Sequence, residues 1–297
     1  MFKGSLTALI TPFKAGKVDD ETFERLIQWQ IEEGTHGLVP VGTTGECPTL
    51  SPDEHKHVVE VCVRAARGRV PVIAGAGSNA TAEAIDFTHH AKQAGADAVL
   101  HVTGYYNKPT QEGIYQHFLA INDAVDIPIF IYNVPPRTIV DVSVATLARC
   151  AKLRNVVGIK DATANVARVT AQRLACGGDF IQLSGEDATA LGFMAHGGAG
   201  CISVTSNVAP RLCADFQNAC LGGDWERARE LHDRLMPLHD SLFCETSPGP
   251  VKYAAGKLGL CSAEVRLPLI PIAEESKRKV DAALQAVGLS RLAQAAA

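Results

Sequence analysis

Short apolar segments alternate with amphipathic, helix-like segments about eight times between residues 4 and 222 of this 297-residue chain. The apolar segments are residues 5–10, 37–41, 70–74, 98–102, 129–132, 156–159, 180–183 and 200–203. Strands that are apolar on both faces are typical of a parallel sheet covered by helices. Because a count of eight favours closure of such a sheet, the sequence predicts an α/β protein with a (β/α)8 TIM barrel.

An open, doubly wound sheet is the alternative way to arrange alternating strands and helices. In that fold a glycine-rich, phosphate-binding turn follows the first strand. The residues at this place are Thr11-Pro12-Phe13-Lys14, which do not form such a turn. The barrel is therefore the favoured fold.

The strand pattern stops at about residue 224. Residues 225–243, 247–258 and 274–286 have helical patterns instead. We therefore predict a catalytic barrel over residues 1–223 and a C-terminal helical domain over residues 224–297. The last six residues, Leu-Ala-Gln-Ala-Ala-Ala, are expected to fray.

The charge distribution and the cysteine pattern limit the partners and the compartment. The net charge is −4 without a block of like charge, which disfavours nucleic acid and anionic membranes as partners. Apolar runs stay below about 18 residues and the N-terminus lacks a basic, signal-like segment, so we expect neither a membrane span nor secretion. Nine scattered cysteines without a Cys-x-x-Cys pair indicate reduced thiols in a cytoplasmic protein.

In a barrel of this kind the active site lies at the carboxyl ends of the strands. The polar residues that follow the apolar segments are therefore the candidates for chemistry. They are Thr7, Thr11, Thr43, Thr44, Glu46, Tyr105, Tyr106, Asn107, Tyr132, Asn133, Lys160, Asp161, Ser184, Glu186, Asp187, Ser203 and Thr205.

Lys160 is the strongest candidate for a nucleophile. Four apolar residues, 156–159, place it at the mouth of a buried strand. A lysine amine attacks a carbonyl only when it is deprotonated, and partial burial penalises its charged form. The alternative is a lysine whose ammonium extends to solvent at a strand end. The neighbouring tyrosines and threonines argue against that alternative.

Several hydroxyl and anion-binding groups accompany this lysine. Tyr106, Tyr132 and Thr43 could form a proton relay, because phenol and alcohol groups both donate and accept hydrogen bonds. For either tyrosine alone, a core residue whose hydroxyl reaches a backbone carbonyl is the competing interpretation. The glycine-flanked loop 42–45 could bind a carboxylate through its amides and hydroxyls. Arg137 follows two prolines that would hold its guanidinium for a carboxylate, with a solvated loop arginine as the alternative.

The sequence predicts neither a metal site nor a cofactor. His55 and His57 point to different faces of one helix, His89 and His90 are adjacent, and no Asp, Glu or His cluster has ligand spacing. A Gly-x-Ser-x-Gly nucleophile elbow and a Walker phosphate loop are also missing.

Six strings of residues occur together in a specific order and spacing. They are Gly42-Thr-Thr-Gly-Glu46, Gly104-Tyr-Tyr-Asn-Lys-Pro109, Tyr132-Asn-Val-Pro-Pro-Arg-Thr138, Gly158-Ile-Lys-Asp-Ala-Thr163, Leu183-Ser-Gly-Glu-Asp187 and Ile202-Ser-Val-Thr-Ser-Asn207. Through them the chain resembles the dihydrodipicolinate synthase family of Schiff-base-forming, class I aldolases. The resemblance covers residues 2 to about 290.

The resemblance implies a synthase of diaminopimelate and lysine biosynthesis, with roles for four catalytic residues. Lys160 would form the imine with pyruvate, and Thr43, Tyr132 and Tyr106 would make the proton relay. In the family the tyrosine that matches Tyr106 reaches in from a neighbouring subunit, which implies a homo-oligomer, usually a dimer of dimers. The family implies no cofactor.

The resemblance also implies the substrate contacts. Thr44, Gly185 and the backbone of Ile202 match pyruvate-binding positions. Arg137 matches the residue that binds the carboxylate of the second substrate, L-aspartate 4-semialdehyde. The implied product is 4-hydroxy-tetrahydrodipicolinate.

An inhibitory L-lysine site carries over in part. The matching residues are His55, Asn79, Glu83 and Tyr105. Three neighbouring residues, Cys47, Pro48 and Pro52, depart from the enterobacterial pattern of Ser, Ala and His. We therefore expect L-lysine to inhibit this enzyme, without a prediction of how strongly.

Three alternatives compete with this interpretation. An N-acetylneuraminate lyase or a 2-keto-3-deoxy sugar acid aldolase of the same superfamily would share the lysine but usually lacks the counterparts of Arg137 and Tyr106. A barrel that has lost catalysis and serves as a binding module would typically lack the nucleophile or the relay. A metal-dependent aldolase would need a ligand set that the sequence does not contain.

Overall fold

Eight parallel strands form a barrel in the computed structural model, which describes residues 2–289. The strands in chain order are β1 (Gly4–Ala8), β2 (Phe13–Lys14), β3 (Lys17–Val18), β4 (Gly37–Val39), β5 (Ile73–Gly75), β6 (Ala98–Val102), β7 (Ile129–Asn133), β8 (Val156–Asp161), β9 (Ile181–Ser184) and β10 (Gly200–Ser203). The sheet order is β4-β1-β10-β9-β8-β7-β6-β5, and a parallel bridge from Leu38 to Val72 joins its two ends. The predicted TIM barrel is confirmed. The small β2–β3 hairpin lies outside the barrel and was not predicted.

The strands β4 and β5 are each two residues shorter than the apolar segments 37–41 and 70–74 that predict them. Strand β4 ends at Val39 because Val41 has a φ of 48°, which turns the chain out of the sheet. Strand β5 begins at Ile73 because Pro71 has no N–H to donate to a strand ladder. The carbonyl of Pro71 still accepts a hydrogen bond from the Leu38 amide at 2.9 Å.

Helices cover the outside of the barrel. They are α1 (Asp20–Glu32), α2 (Pro52–Ala66), α3 (Thr81–Ala94), α4 (Gln111–Ala124), α5 (Pro135–Thr138), α6 (Val144–Cys150), α7 (Ala167–Cys176), α8 (Ala190–Ala195) and α9 (Pro210–Gly222). The start of α2 shows why the chain turns helical there. Ser51 and Glu54 form a reciprocal capping box, and Pro52 occupies the first turn.

Three further helices follow the barrel, namely α10 (Trp225–Ser241), α11 (Gly249–Lys257) and α12 (Glu274–Val287). They share one apolar cluster with barrel elements, in which Leu231, Val251 and Val280 pack with Ile10 and Leu26. The C-terminal helices are thus bound to the barrel through a common core. The division at residue 223 remains a prediction, and the end that is expected to fray lies outside the described residues.

The inside of the barrel is filled rather than open. Leu6, Val39, Leu100, Phe130 and Leu183 belong to one buried cluster at its centre. This packing leaves only the strand ends for function. None of the helices in residues 2–289 is long and apolar enough to cross a membrane.

Candidate active site

Lys160 and Tyr132 lie side by side at the carboxyl ends of β8 and β7. The two residues are register partners in the parallel ladder. Lys160 is 6% exposed, and its Nζ lies 4.2 Å from the centre of the Tyr132 ring. The amine of Lys160 thus lies over the face of the Tyr132 ring. The lysine is therefore buried in the barrel mouth and does not extend to solvent.

Gly185, in the turn after β9, leaves room for the lysine side chain. A Cβ atom at this position would lie 3.0 Å from Cε and 3.1 Å from Cγ of Lys160, and 2.8 Å from Cβ of Ala162. Separations this short would force a side chain to move. The resemblance implies that Gly185 binds substrate, and the structure places it directly against the stem of Lys160.

A polar network on the outer side of the barrel holds the ends of β7 and β8. Asn133 and Asp161 are register partners, each one residue beyond Tyr132 or Lys160, so they point to the opposite face of the sheet. Asp161 Oδ2 accepts hydrogen bonds from Arg168 Nε at 3.0 Å and from Gln172 Nε2 at 2.6 Å.

Strand β7 contacts the same network through Asn133. Asn133 Nδ2 donates to Asp141 Oδ1 at 2.8 Å, and the Val142 amide donates to Asn133 Oδ1 at 3.1 Å. Arg168 joins the two halves, because its Nη1 lies 3.3 Å from Asp141 Oδ2. Asn133 and Asp161 are recognisable in the sequence as polar strand ends, whereas no sequence pattern indicates Arg168.

The loop that carries Thr43 and Thr44 is a compact turn. The Glu46 amide donates to the Thr43 carbonyl at 3.1 Å, and the Gly45 amide donates to the Gly42 carbonyl at 3.0 Å. Thr44 is buried, whereas Thr43 is partly exposed. The hydroxyl of Thr11, in the loop after β1, donates to the Gly45 carbonyl at 2.7 Å. The turn is thus held from within and from the neighbouring strand.

A cavity of about 340 Å³ contains residues from both the substrate prediction and the inhibitor prediction. Its lining consists of Thr43, Cys47, Pro48, Leu50, Pro52, His55, Gly77, Glu83, Phe87, Val102, Tyr105, Val134, Arg137 and Thr138. Asn79 is next to it, since its side-chain amide donates to the Tyr105 carbonyl at 3.3 Å. Arg137 Nη2 donates to the carbonyl of Ser247 at 3.4 Å, so this guanidinium contacts the segment between α10 and α11.

Burial sets the protonation of two groups in the cavity wall. The imidazole of His55 stacks on Phe87 with ring centres 4.0 Å apart, and burial lowers the pKa of His55 to about 4. Burial raises the pKa of the Cys47 thiol to about 12. Near pH 7 the imidazole is therefore neutral and the thiol protonated, which makes Cys47 a packing residue rather than a nucleophile.

Two acidic residues, Glu186 and Asp187, lie near the lysine in the segment after β9. Burial raises the pKa of the Glu186 carboxyl, the charge of Asp187 adds to this, and Lys160 opposes it. Asp187 Oδ2 accepts hydrogen bonds from the amides of Val204 at 2.8 Å and Thr205 at 3.2 Å. These bonds fix the chain just after Ile202, which is buried on β10.

Tyr106 is separate from the other catalytic candidates within one chain. Its side chain is 91% exposed, and its φ of 68° places it at a sharp turn after β6. A hydroxyl this exposed is not packed into the barrel mouth beside Tyr132. The structure therefore brings Lys160, Tyr132 and Gly185 together, and leaves Tyr106 on the surface.

A closed parallel barrel with one buried lysine among hydroxyl groups at its mouth defines a class of protein, the carbon–carbon lyases of the class I aldolase type. Among residues 2–289 there is no group of three or more His, Cys, Asp or Glu side chains that could hold a metal ion. The chain belongs to the dihydrodipicolinate synthetase family, whose model matches residues 1–287.

Individual relatives agree with this family over nearly the whole chain. The 4-hydroxy-tetrahydrodipicolinate synthase of Parvibaculum lavamentivorans is 66% identical over 289 residues, which cover 97% of this chain and 99% of that protein. The synthase of the same name from Bradyrhizobium diazoefficiens is 62% identical and covers 97% of both chains. The structure of dihydrodipicolinate synthase from Aquifex aeolicus matches with a TM-score of 0.96 at 47% identity, over 97% of this chain and 99% of that one.

Two similar solved structures contain ligands. The enzyme from Acinetobacter baumannii, complexed with pyruvate, matches with a TM-score of 0.95 at 46% identity, over 97% of this chain and 100% of that one. The enzyme from Cyanidioschyzon merolae, with lysine bound, matches with a TM-score of 0.94 at 37% identity, over 97% of this chain and 99% of that one.

Proposed function

We propose that this enzyme condenses pyruvate with L-aspartate 4-semialdehyde to give 4-hydroxy-tetrahydrodipicolinate, through a Schiff base on Lys160. The observation that carries the proposal is the burial of Lys160 at the barrel mouth, against the ring of Tyr132. Relatives at 60–66% identity bear the name of this synthase, which favours it over a sugar acid aldolase or a neuraminate lyase.

The chemistry begins with the lysine amine. Its lone pair attacks C2 of pyruvate, and loss of water leaves an iminium ion. Loss of a proton from C3 then gives an enamine, which attacks the aldehyde carbon of the second substrate. The amine of that substrate finally attacks C2, which closes the ring and releases Lys160.

Each of these steps moves a proton, and the nearby hydroxyls are placed to assist. Tyr132 is in contact with the lysine, and Thr43 lines the adjoining cavity. We assign both to the proton relay, together with Tyr106 from a neighbouring subunit. The exposure of Tyr106 supports this assignment, because an exposed tyrosine at a loop tip is available to a partner chain. A dimer of dimers is the assembly that we infer.

The substrate carboxylates meet two different groups. We assign the pyruvate carboxylate to Thr44, Gly185 and the Ile202 backbone at the barrel mouth. Arg137 lines the cavity next to Thr43, where its guanidinium can bind the carboxylate of the semialdehyde in a bidentate manner. The even charge distribution and the scattered thiols also favour a cytoplasmic enzyme without nucleic-acid or membrane partners.

A coupled assay tests the proposal. Purified enzyme is given pyruvate and L-aspartate 4-semialdehyde, and NADPH loss is followed through added dihydrodipicolinate reductase. We expect a robust rate that Lys160→Ala abolishes. If there is no rate but borohydride traps a pyruvate adduct on Lys160, the Schiff-base class stands and the second substrate is a sugar-derived aldehyde instead.

A further inference from the structure

A fully buried ion pair joins the C-terminal helices to the loop of Thr43 and Thr44. Lys252, on α11, places its Nζ 2.6 Å from Oε1 of Glu46, and the two side chains are 0% and 1% exposed. The residues are 206 positions apart in sequence. Removing two charges from water is unfavourable unless the pair is well aligned and fully hydrogen-bonded.

The surroundings of this pair supply the remaining hydrogen bonds. Lys252 Nζ also donates to the Thr11 carbonyl at 2.9 Å and lies 4.1 Å from the centre of the Phe13 ring. The second oxygen of Glu46 accepts a hydrogen bond from the Arg266 amide at 3.0 Å. Because a carbonyl faces Lys252 and an amide faces Glu46, the pair cannot be reversed without leaving both unsatisfied.

Glu46 is also part of the turn itself. Its φ of 57° lies in the left-handed region, and its amide donates to the carbonyl of Thr43. Thr11 contacts both the ion pair and the turn, since its carbonyl accepts a hydrogen bond from Lys252 and its hydroxyl donates one to the Gly45 carbonyl. A displacement of Lys252 would therefore move the turn at Glu46 and at Gly45 together.

We propose that Lys252 is a positioning residue for the turn that carries Thr43 and Thr44, and that it acts through Glu46 and the Thr11 carbonyl. The C-terminal helices thereby set the pyruvate-binding geometry of the barrel. The consequence for pyruvate rests on the proposed function, whereas the positioning of the turn does not. A purely architectural pair would instead hold α11 in place and leave the turn unchanged.

Substitutions that preserve side-chain size can distinguish positioning of the turn from a purely architectural role. Lys252→Met leaves Glu46 buried without a countercharge. Glu46→Gln likewise leaves Lys252 buried without one. We expect Lys252→Met to raise the KM for pyruvate at least fivefold. Borohydride should still trap the adduct on Lys160 at saturating pyruvate, because Lys160 is on β8 and does not touch the pair. In the Glu46→Gln background, Lys252→Met should have a smaller effect than in the wild type.

Two control variants separate positioning from loss of charge and from loss of stability. Lys257→Met removes a charge from the same helix, α11. Lys257 pairs with Asp281 at 3.3 Å, away from the turn. Val280→Ala weakens the buried core of α12. The proposal expects an unchanged pyruvate KM in both variants, and a lower Tm in Val280→Ala. A KM in Val280→Ala that rises as much as in Lys252→Met would overturn it.

Hydrogen exchange measures the turn without any substrate. The amides of Gly45, Glu46 and Cys47 are bonded within the turn, so they report its opening directly. We expect Lys252→Met to speed their exchange at least tenfold, with no matching change in β8. If Lys252→Met does not fold, the double variant Glu46→Gln/Lys252→Met serves, since it leaves no unpaired charge and still lacks the bond to Thr11.

Exchange in the turn at the wild-type rate, in whichever of these variants is folded, would refute the positioning role. A wild-type enzyme that gave no pyruvate adduct on Lys160 would instead refute the proposed function. The exchange rates would still decide whether Lys252 positions the turn, so the two failures are distinguishable.

Discussion

A Cβ atom on Gly185 would lie 3.0 Å from the Cε atom of Lys160, so the absence of a side chain at one strand end makes room for the lysine at the next. The position does not require a left-handed backbone, since no positive φ occurs at Gly185. Space, rather than backbone freedom, is what glycine supplies here. The course of the lysine side chain thus depends on a residue in the turn after the neighbouring strand, β9.

Gly185→Ala is therefore expected to displace the amine of Lys160, which we propose as the nucleophile. A shift of about 1 Å at a reacting group lowers rates by about 100-fold, and we expect a loss of this size in pyruvate adduct formation. Rapid-quench trapping with borohydride measures it. Gly178→Ala is the matched control, because a Cβ there would meet nothing within 4 Å. Equal adduct rates in the two variants would contradict the steric role.

The ion pair between the buried Asp161 and the partly buried Arg168 is expected to stabilise the strand ends beneath the site. Asp161→Asn leaves Arg168 with one countercharge, the exposed Asp141, and with its hydrogen bond to the Val142 carbonyl. Removing one partner of a fully buried pair costs about 3–5 kcal/mol. Because Arg168 is partly exposed and keeps Asp141, we expect the low end of this range, a fall of about 3 kcal/mol in the free energy of unfolding. The rate should fall as well, since Asp161 follows Lys160 directly.

Denaturant unfolding provides the measurement for this pair. Asp126→Asn removes an exposed carboxylate that pairs with Arg154 at 3.0 Å, and such pairs contribute about 1 kcal/mol or less. If both variants lost the same stability, the network around Asp161 would have no special role.

The strands of the fold could be predicted from the sequence to a greater extent than the side-chain networks around the site. The apolar run before Lys160 predicts both a buried strand and a lysine at its mouth, because both depend on local sequence alone. The strand end at Val39 could not be predicted, since nothing in the composition of residues 37–41 signals the left-handed Val41. Boundaries of this kind depend on tertiary packing.

The networks that hold the site were not predictable for a related reason. Arg168 lies seven residues beyond Asp161, a spacing that means nothing until α7 packs against β8. Lys252 and Glu46 meet only after the whole chain has folded. Residues that perform chemistry are recognisable from type and place, whereas residues that position them require the three-dimensional contacts.

Acid is expected to weaken the contact between α2 and the segment before α12. The hydrogen bond from Arg266 lowers the pKa of the Glu54 carboxyl from 4.5 to about 2. A carboxyl with a lowered pKa in the folded state stabilises it above the unfolded pKa, and the contribution is lost as pH falls from 4.5 towards 2. Glu54→Gln should therefore destabilise the enzyme at pH 7 and have little effect near pH 2.

Urea unfolding of the wild type and Glu54→Gln at several pH values tests this expectation. Glu21→Gln is the control, because Glu21 is strongly exposed and pairs only with Arg25 on the same helix. A stability difference between the wild type and Glu54→Gln that stays constant from pH 7 to pH 2 would rule out the linkage.

L-Lysine is expected to inhibit through the cavity beside the active site. Glu83 faces this cavity with His55 and Tyr105, and its carboxylate can bind the ligand's ammonium. At subsaturating pyruvate, millimolar lysine should lower the initial rate, and Glu83→Gln should raise the concentration for half-inhibition at least tenfold. Rates are compared with those of each variant without lysine.

Glu60→Gln serves as the control for lysine inhibition. Its carboxylate pairs with His90 outside the cavity, at 2.8 Å, so the inhibition curve should match that of the wild type. Initial rates that millimolar lysine leaves unchanged in the wild type would refute the inhibitory site itself. The departures at Cys47, Pro48 and Pro52 bear on the strength of inhibition, because all three line the cavity.

Mixing two inactive variants tests whether Tyr106 serves the partner's active site. In a two-fold symmetric dimer of Tyr106→Phe with Lys160→Ala, one of the two sites combines an intact Lys160 with an intact Tyr106. Random mixing should therefore restore about a quarter of the wild-type rate, since about half the dimers are mixed and each has one complete site. Refolding the two variants together and assaying the product measures the gain.

Tyr132→Phe mixed with Lys160→Ala is the matched control for this exchange. Tyr132 and Lys160 are paired within one chain, so a mixed dimer has no site in which both are intact. The rate should stay at the level of the separate variants. Recovery in the Tyr132 mixture, or none in the Tyr106 mixture, would contradict a relay that crosses the subunit boundary. The contrast is informative because the two tyrosines differ mainly in exposure, with one buried against Lys160 and the other on the surface.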